Sequence, residues 1–218
     1  RGVYGSLIAS LDGGLVLDIG PGRGELLYVL LGDLKESEKR VYCVDIDEEV
    51  AAHVGKSYPG VTSVKGDPVE FLSAGKEQFS AVFMLHVLEH LETDYAVRLL
   101  SEIRSNLAPG GVLVVEVPNS ACSYVGNTIY SSDITHSTPY TSVSLKQVCR
   151  MAGFESIEVK GIRPSGKGLA RLLQRAMIAA LIGLDRLVHK IFLPSWSFLH
   201  EATIYAVCLQ QEGRTEES

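Results

Sequence analysis

Short apolar runs alternate with amphipathic stretches along this chain from residue 15 to about residue 160. The apolar runs have the length and the β-branched content of buried strands, whereas the apolar residues of 95–107 recur at the spacing of one helix face. This alternation predicts an α/β fold in which a mostly parallel sheet carries helices on both faces. The 218 residues suit one domain of this kind.

Two long segments do not fit the alternation. The predicted strands are 15–19, 40–44, 61–64, 81–85, 111–117, 157–160 and 202–209, and the predicted helices are 24–32, 48–58, 68–72 and 93–107. Residues 119–143 and 161–200 fall outside this pattern, and connections of such length in a compact domain are usually functional. We therefore expect a single domain over 1–211 with these two insertions, followed by a disordered polar tail over 212–218.

Charge and cysteine content exclude several classes of protein. The chain has 26 acidic and 20 basic residues, a net charge of −6, which argues against nucleic acid as a partner. The four cysteines are scattered without a CxxC pair, so we expect buried thiols in a reducing, cytoplasmic compartment rather than disulfides or a zinc site. No apolar run reaches the ~18–20 residues that a membrane-spanning helix needs.

The turn between the first strand and the first helix indicates a nucleotide ligand. Residues 17–25 read LDIGPGRGE, and glycines at this position let the backbone approach a ligand beyond the carboxyl end of the strand. Gly20, Gly22 and Gly24 are spaced GxGxG, not the GxGxxG of dinucleotide sites, and the Lys-Ser or Lys-Thr pair of a P-loop is absent. The carboxylate of Asp18 would repel a pyrophosphate but suits an ammonium or sulfonium group.

The same turn resembles motif I of the class I S-adenosylmethionine (SAM) dependent methyltransferases, and further similar segments follow in order. They are VYCVDIDEEV (41–50), similar to the family's second strand; VKGDPVEFL (64–72), similar to its adenine-binding segment; AVFMLHVLEHLE (81–92), similar to the fourth strand and the turn after it; and LAPGGVLVVEVPN (107–119), similar to the fifth strand. The resemblance covers about residues 15–119 and resumes weakly over 144–159. It is nearest to the ubiquinone-pathway and glycan-modifying O-methyltransferases.

The resemblance implies a fold and a cofactor site. The implied fold is a Rossmann-like, doubly wound sheet of seven strands in the order 3-2-1-4-5-7-6, with the last strand antiparallel and a helical insertion between strands six and seven. The implied SAM-binding residues are Asp18, Gly20, Gly22, Gly24, Asp45, Ile46, Asp67, Pro68, Leu85 and His86. Asp45 would bind the ribose hydroxyls and Asp67 the adenine amine. Pro68 has no N–H for the adenine ring, so either Val69 supplies one or Asp67 and apolar packing hold the ring.

Two histidines are candidates for the chemistry. His86 follows the fourth strand and could line the cofactor or act as a base, and His136 lies in the first insertion, where the nearby Asp133 could orient it. We interpret His136 as general base or acceptor-binding residue, with a hydrogen-bonding role for it left open. Although 86–90 read HVLEH, no metal is predicted. The expected reaction is methyl transfer to a small-molecule or glycan- or lipid-linked acceptor, with S-adenosylhomocysteine (SAH) as product. Oxygen is the preferred atom; N- or C-methylation, or a SAM-binding membrane-associated protein without activity, are the alternatives.

The second insertion is basic and amphipathic. Six basic residues and one acid, Asp185, lie between residues 163 and 190, next to an apolar stripe at helical spacing. Such a helix could form a peripheral membrane contact through 163–193, a lid over the acceptor or a dimer face. A membrane-peripheral location, and a monomeric or homodimeric state, therefore remain open.

Overall fold

The computed structural model describes residues 4, 7, 8, 14–33, 39–124, 126–163, 168–193, 195 and 197–210. The strands are β1 (Gly14–Ile19), β2 (Lys39–Asp45), β3 (Val61–Lys65), β4 (Phe79–Leu85), β5 (Leu107–Pro118), β6 (Ser156–Gly161) and β7 (Thr203–Leu209). The helices are α1 (Glu25–Asp33), α2 (Glu48–Ser57), α3 (Pro68–Ala74), α4 (Thr93–Asn106), α5 (Gly126–Ser131), α6 (Ser142–Met151) and α7 (Leu169–Phe192), with a 3-10 turn at Leu88–His90.

The strands form one sheet in the order β3-β2-β1-β4-β5-β7-β6, which confirms the predicted fold. Strands β1 to β5 pair in parallel, whereas β7 runs antiparallel to both β5 and β6. All five parallel strands therefore end at one edge of the sheet. Because Pro118 pairs with Thr203, β7 begins at that same edge.

The main difference from the predicted elements lies at β5. This strand was expected over 111–117 but extends back to Leu107, and the preceding helix ends one residue earlier than expected, at Asn106. Leu107 has extended backbone angles, φ −76° and ψ 136°, so it cannot continue the helix. The predicted tail over 212–218 lies outside the described residues.

Both faces of the sheet are buried, as expected when consecutive strand residues are all apolar. Neighbouring residues of β1 illustrate this, because Val16 packs into the core beside α1 and α2 while Leu17 packs into the core beside α3, α4 and α6. The sheet is thus a rigid support, and the side chains at its carboxyl edge are held by residues packed on both sides.

Helix α7 is attached to the sheet by few residues. The predicted apolar stripe is indeed helical, but among the residues of this helix only Ile182 and Asp185 are buried. Its stripe is largely exposed, with Leu184, Leu187 and Ile191 at 53%, 56% and 64% exposure. None of the described helices is long and apolar enough to cross a membrane.

Candidate active site

The glycine turn is packed tightly at the carboxyl edge of the sheet. Gly20, Gly22 and Gly24 all have positive φ, +68°, +53° and +85°. A Cβ on Gly20 would lie 2.4 Å from Cγ2 of Val87, and the Gly20 N–H donates to the Val44 carbonyl at 3.0 Å. The turn therefore combines a left-handed backbone with close contacts that only glycine allows.

Asp18 lies beneath this turn with one oxygen free. Its side chain is buried, and among the described residues its Oδ2 has no hydrogen-bond partner. Burial, and then the nearby Asp45 carboxylate, raise the pKa of Asp18 to about 7. An unpartnered buried carboxylate is costly. A cation or a hydrogen-bond donor placed in the turn would remove that cost.

A cavity of about 250 Å³ lies beside the turn, over the ends of β1, β2 and β3. It is lined by Ile19, Gly20, Val44, Asp45, Ile46, Asp67, Pro68, Val87, Leu91, Tyr95 and Leu99. Ile46 is 74% exposed at its wall. The cavity is apolar with carboxylates at its rim, which suits a ring with a hydroxylated sugar attached.

The two rim carboxylates are held by hydrogen bonds. Oδ1 of Asp45 accepts from the Asp47 N–H at 2.8 Å; burial raises the pKa of Asp45, and this bond opposes the rise. Asp67 caps α3, with Oδ1 accepting from the N–H groups of Val69 and Glu70 and Oδ2 accepting from the Tyr95 hydroxyl at 2.8 Å. Burial raises the pKa of Asp67, but these three bonds outweigh it and hold the pKa below its usual value.

The Asp67 cap bears on the two alternatives for the adenine ring. Because the Val69 N–H already donates to Asp67, it is not free for a ligand. Pro68 begins α3 and lines the cavity with its ring. The second alternative, a ring held by Asp67 and apolar packing, is therefore the one that this arrangement favours.

His86 follows β4 and is clamped between two carboxylates. Its Nδ1 lies 3.2 Å from Oε1 of Glu89, and its Nε2 lies 2.9 Å from Oε1 of Glu116 on β5. Hydrogen bonding to Glu116 and Glu89 raises the pKa of His86 to about 10, so at neutral pH both ring nitrogens donate. An imidazolium held in this way has no lone pair with which to remove a proton. The geometry therefore does not favour His86 as a base.

The backbone at His86 is also constrained. His86 has φ +55°, a left-handed conformation that is uncommon for residues other than glycine, and its N–H donates to the Glu116 carbonyl at 3.0 Å. Leu85, which pairs with Glu116 in the sheet, ends β4 just before it. The Tyr4 hydroxyl donates to the other oxygen of Glu116, so this carboxylate joins β4, β5 and the start of the chain.

His136 is oriented by Tyr130, not by Asp133. Its Nδ1 lies 2.8 Å from the Tyr130 carbonyl, the Tyr130 hydroxyl donates back to the His136 carbonyl at 3.1 Å, and the two rings stack at 5.2 Å. The expected partner, Asp133, instead accepts from the N–H and the hydroxyl of Thr135. Since a carbonyl can only accept, Nδ1 carries the hydrogen and Nε2 has the lone pair.

The structure brings His136 together with two other potential metal ligands, Glu89 and His90. The rings of His90 and His136 lie 4.7 Å apart, and one donor atom from each of Glu89, His90 and His136 lies within 4.8 Å of the others. Glu89 is buried, and its Oε2 has no partner among the described residues. This group could exchange protons or hold a divalent cation. The HVLEH string contains two of its members, but only the fold reveals that His136 joins them.

A second, larger cavity lies under α7. It has a volume of about 360 Å³ and is lined by Cys122, Tyr124, Ile162, Ile178, Leu181, Ile182, His200, Glu201, Ala202 and Thr203. Its walls come from both insertions and from the start of β7. Nothing in the residue pattern predicted that His200 and Asp185 would form a buried pair here, with His200 Nδ1 2.8 Å from Asp185 Oδ2.

Comparison with known proteins agrees with this arrangement. Residues 7–159 match the family model described as a methyltransferase domain. A probable SAM-dependent methyltransferase of Mycolicibacterium smegmatis is 32% identical over 170 residues, which are 78% of this chain and 63% of that protein. The chain therefore spans less than two thirds of the length of this relative.

Two solved structures show the similarity of fold. A SAM-dependent methyltransferase from Archaeoglobus fulgidus is superposed with a TM-score of 0.68 at 20% identity, covering 94% of this chain and 89% of that one. The second structure is the O-methyltransferase NcsB1 of neocarzinostatin biosynthesis in complex with SAH and 1,4-dihydroxy-2-naphthoic acid. Its TM-score is 0.56 at 20% identity, and the match covers 70% of this chain and 46% of that one.

The strand order and the glycine turn define the fold of class I SAM-dependent methyltransferases. With the match over 7–159, the chain belongs to the methyltransferase domain family, whose methyl donor is SAM. Carbon methyltransferases share this fold with O-methyltransferases, so the fold alone does not select the acceptor atom.

Proposed function

We propose that this protein transfers the methyl group of SAM to a hydroxyl oxygen of a small-molecule, glycan-linked or lipid-linked acceptor, releasing SAH. The observation that carries the choice of oxygen is the arrangement of His136, whose Nδ1–H donates to the Tyr130 carbonyl and whose Nε2 keeps its lone pair. A hydroxyl acceptor must lose its proton during transfer, and an oriented neutral histidine is suited to take it.

The cofactor half of the site fits SAM. The unpartnered Oδ2 of Asp18 would meet the cationic end, Asp45 would accept from the ribose hydroxyls, and the cavity between Ile46 and Tyr95 would take the adenine with Asp67 at its rim. When bound, SAM supplies an electrophilic methyl group on sulfonium sulfur. Gly20 and Gly24 have positive φ, and a Cβ at either would clash with its neighbours, which is consistent with a turn shaped to admit this ligand.

On the acceptor side, His136 acts as the general base in this proposal. As the bond from the acceptor oxygen to the methyl carbon forms and the carbon–sulfur bond breaks, the hydroxyl proton moves to Nε2 of His136. Tyr130 keeps the ring in the required tautomer. His86 has a different task, because its positive charge holds Glu89 and Glu116 in place.

The test begins with a screen for the acceptor. The protein is incubated with methyl-¹³C-labelled SAM and fractionated metabolites, and products are identified by the mass of the label and by the position of the new methyl carbon in the NMR spectrum. An O-methyl carbon resonates at lower field than an N- or C-methyl carbon. A labelled N- or C-methyl product would overturn the choice of oxygen. If the protein binds SAH but yields no labelled product, the non-catalytic alternative is favoured.

The base is then tested with His136→Ala. Turnover should fall by ~10²-fold or more while SAH affinity is unchanged. His53→Ala, on the exposed face of α2, is the matched control. Near-normal turnover of His136→Ala excludes the base role. If a chelator abolishes wild-type activity, Zn²⁺ or Mn²⁺ restores it, and His90→Ala but not His189→Ala removes this metal dependence, then Glu89, His90 and His136 act as cation ligands instead.

We also propose that α7 lies on an anionic membrane surface. Its exposed side has an apolar stripe that includes Leu184, Leu187 and Ile191, and the helix's single acid, Asp185, is buried. Lys190 borders the stripe, and Arg175 and Arg186 lie between the stripe and the inner side of the helix, where they line a groove with Ile182. An amphipathic helix with cations beside its apolar stripe suits anionic lipid headgroups. A membrane location would also bring lipid-linked acceptors to the cavity beneath the helix.

Vesicle co-sedimentation tests this contact. The protein should pellet with vesicles containing phosphatidylglycerol but not with pure phosphatidylcholine, and Leu187→Glu should release it. Tyr28→Glu, at a residue of α1 that is 79% exposed, is the control for an added charge outside the helix. Dimers that Leu187→Glu converts to monomers, without vesicle binding, would show that a second copy covers this stripe.

A further inference from the structure

Three metal-ligand side chains meet where α7 contacts the rest of the domain. Asp185 and His189 lie one turn apart on the inner side of α7, and His200 comes from the segment before β7. One donor atom from each lies within 4.8 Å of the others. Asp185 and His200 are buried, and the His189 side chain is 20% exposed. This cluster is separate from Glu89, His90 and His136, and the methyl-transfer proposal does not use it.

The distances are close to those of a metal centre. Asp185 Oδ1 lies 3.5 Å from Nδ1 of His189, and Oδ2 lies 2.8 Å from Nδ1 of His200. Nδ1 of His189 also lies 3.0 Å from the Asp185 carbonyl, to which it donates while no metal is bound. Tetrahedral zinc with bonds of about 2.0–2.2 Å separates its ligand atoms by roughly 3.4 Å. Metal binding would therefore replace the hydrogen bonds that the two rings make, and it would draw together donor atoms that already lie within 4.8 Å of one another.

The kind of donor atom selects the class of metal. Two imidazoles and one carboxylate are a set that zinc and its first-row neighbours prefer, whereas magnesium and calcium favour oxygen ligands alone. Three protein ligands leave a fourth position for water. Because His200 also lines the 360 Å³ cavity under α7, that position lies near the cavity wall.

The surroundings prepare the carboxylate for a cation. Asp185 is 2% exposed, and its Oδ2 lies 2.8 Å from Nδ1 of His200. The Ser123 N–H approaches Oδ2 at 3.5 Å and helps to orient the group.

We propose that Asp185, His189 and His200 form a zinc-class metal site that fastens α7 to the domain. The site joins three segments: α7, the start of the first insertion at Ser123 and the segment before β7. Since only Ile182 and Asp185 of α7 are buried, this junction determines how α7 sits as the roof of the cavity. Zinc occupancy of this site then determines how firmly α7 is attached to the rest of the domain.

The test measures zinc directly, independently of activity. The purified protein is stripped with chelator and titrated with ZnCl₂ by calorimetry, and bound zinc is counted by plasma mass spectrometry after dialysis. The zinc bound at this cluster, one ion per chain, should be lost or weakened by about 100-fold or more in His189→Ala, since even the loss of a group that hydrogen-bonds a metal ligand costs 10–100-fold. Cobalt substitution should give visible bands typical of a four-coordinate site.

Two variants locate the metal. His53→Ala and His136→Ala should keep the stoichiometric zinc, because neither belongs to this cluster. Zinc should raise the melting temperature of the wild type and slow proteolysis at the ends of α7, with neither effect in His189→Ala. His189 is partly exposed, and circular dichroism checks that the variant folds. The proposal is overturned if the folded wild type binds no stoichiometric zinc, or if His136→Ala loses the metal while His189→Ala keeps it.

Discussion

The Tyr95 hydroxyl on α4 donates a 2.8 Å hydrogen bond to Oδ2 of Asp67, which caps α3. This bond fixes the carboxylate of a helix cap at the rim of the proposed adenine cavity. Because the N–H groups of Val69 and Glu70 donate to Oδ1, a ligand would share Oδ2 with the Tyr95 hydroxyl. Recognition of the adenine amine would depend on a side chain whose position α4 controls.

Tyr95→Phe should therefore weaken SAH binding by roughly three- to tenfold and lower the free energy of unfolding by about 1 kcal/mol, since it removes one hydrogen bond to a charged group. Calorimetry and urea unfolding measure the two effects. Tyr28→Phe, at a tyrosine that is 79% exposed, is the matched control. Unchanged SAH affinity in Tyr95→Phe would show that the Asp67 position does not matter for the cofactor.

The buried Asp18 predicts a pH dependence with a definite sign. Its pKa is raised from about 3.9 in the unfolded chain to about 7 in the folded protein. The folded state thus binds more protons between these values, and the stability of the ligand-free protein should fall as the pH rises from about 4 to about 7. Asp18→Asn should show a flatter profile in urea unfolding across this range.

The affinity for SAH should have the opposite pH dependence. If the Asp18 carboxylate meets the ammonium group of SAH, affinity should increase as the pH rises through about 7 and then level off. Asp18→Asn should remove this increase. Equal pH profiles of SAH affinity in the two proteins would count against the contact between Asp18 and the cationic end of the cofactor.

Gly22 and Gly24 allow the energetic cost of a left-handed backbone to be separated from the cost of a steric clash. A Cβ at Gly24, φ +85°, would lie 2.4 Å from Cε2 of Tyr58, whereas at Gly22, φ +53°, it would meet nothing within 4 Å. Gly22→Ala should lose about 1–2 kcal/mol of stability, the cost of a left-handed conformation. Gly24→Ala should lose clearly more, and Tyr58→Ala in the same chain should recover the difference. Equal losses in urea unfolding for the two single variants would contradict the clash.

The His86 ion pairs predict a loss of stability at high pH. The pKa of His86 rises from about 6.5 in the unfolded chain to about 10 in the folded protein. Its contribution is therefore complete below about pH 6.5 and disappears as the pH increases through 10. The stability advantage of the wild type over His86→Gln should shrink across this interval. NMR titration of the ring should give a lower pKa in Glu116→Gln than in the wild type.

The positions of the proposed cofactor residues in the fold could be predicted because they are fixed by local order along the chain. Asp45 ends a strand and Gly20 follows one, so the strand–turn–helix pattern alone places both at the carboxyl edge of the sheet. The strand order was implied by the resemblance to the class I methyltransferases, and the alternating pattern is compatible with it. Parallel strands with helical crossovers leave few topologies open, and an apolar run identifies each strand.

The acceptor half depends on contacts between distant segments, which periodicity does not report. Asp133 is near His136 in sequence, but it binds the N–H and hydroxyl of Thr135 in a local turn, and Tyr130 orients the histidine instead. The sequence does not distinguish Glu116 from the other residues of the predicted strand 111–117. Its role appears only when β4 and β5 pair and bring it beside His86.

The proposed donor site and the larger cavity rest on different strands of the sheet. Since Thr203 pairs with Pro118, the two insertions that enclose the larger cavity are attached to adjoining strands, β5 and β7, while the smaller cavity rests on β1, β2 and β3. Substitutions, insertions or even exchange of α7 can therefore reshape one side without altering the turn at Gly20. On this sheet the methyl acceptor could therefore change while the proposed donor site stays the same.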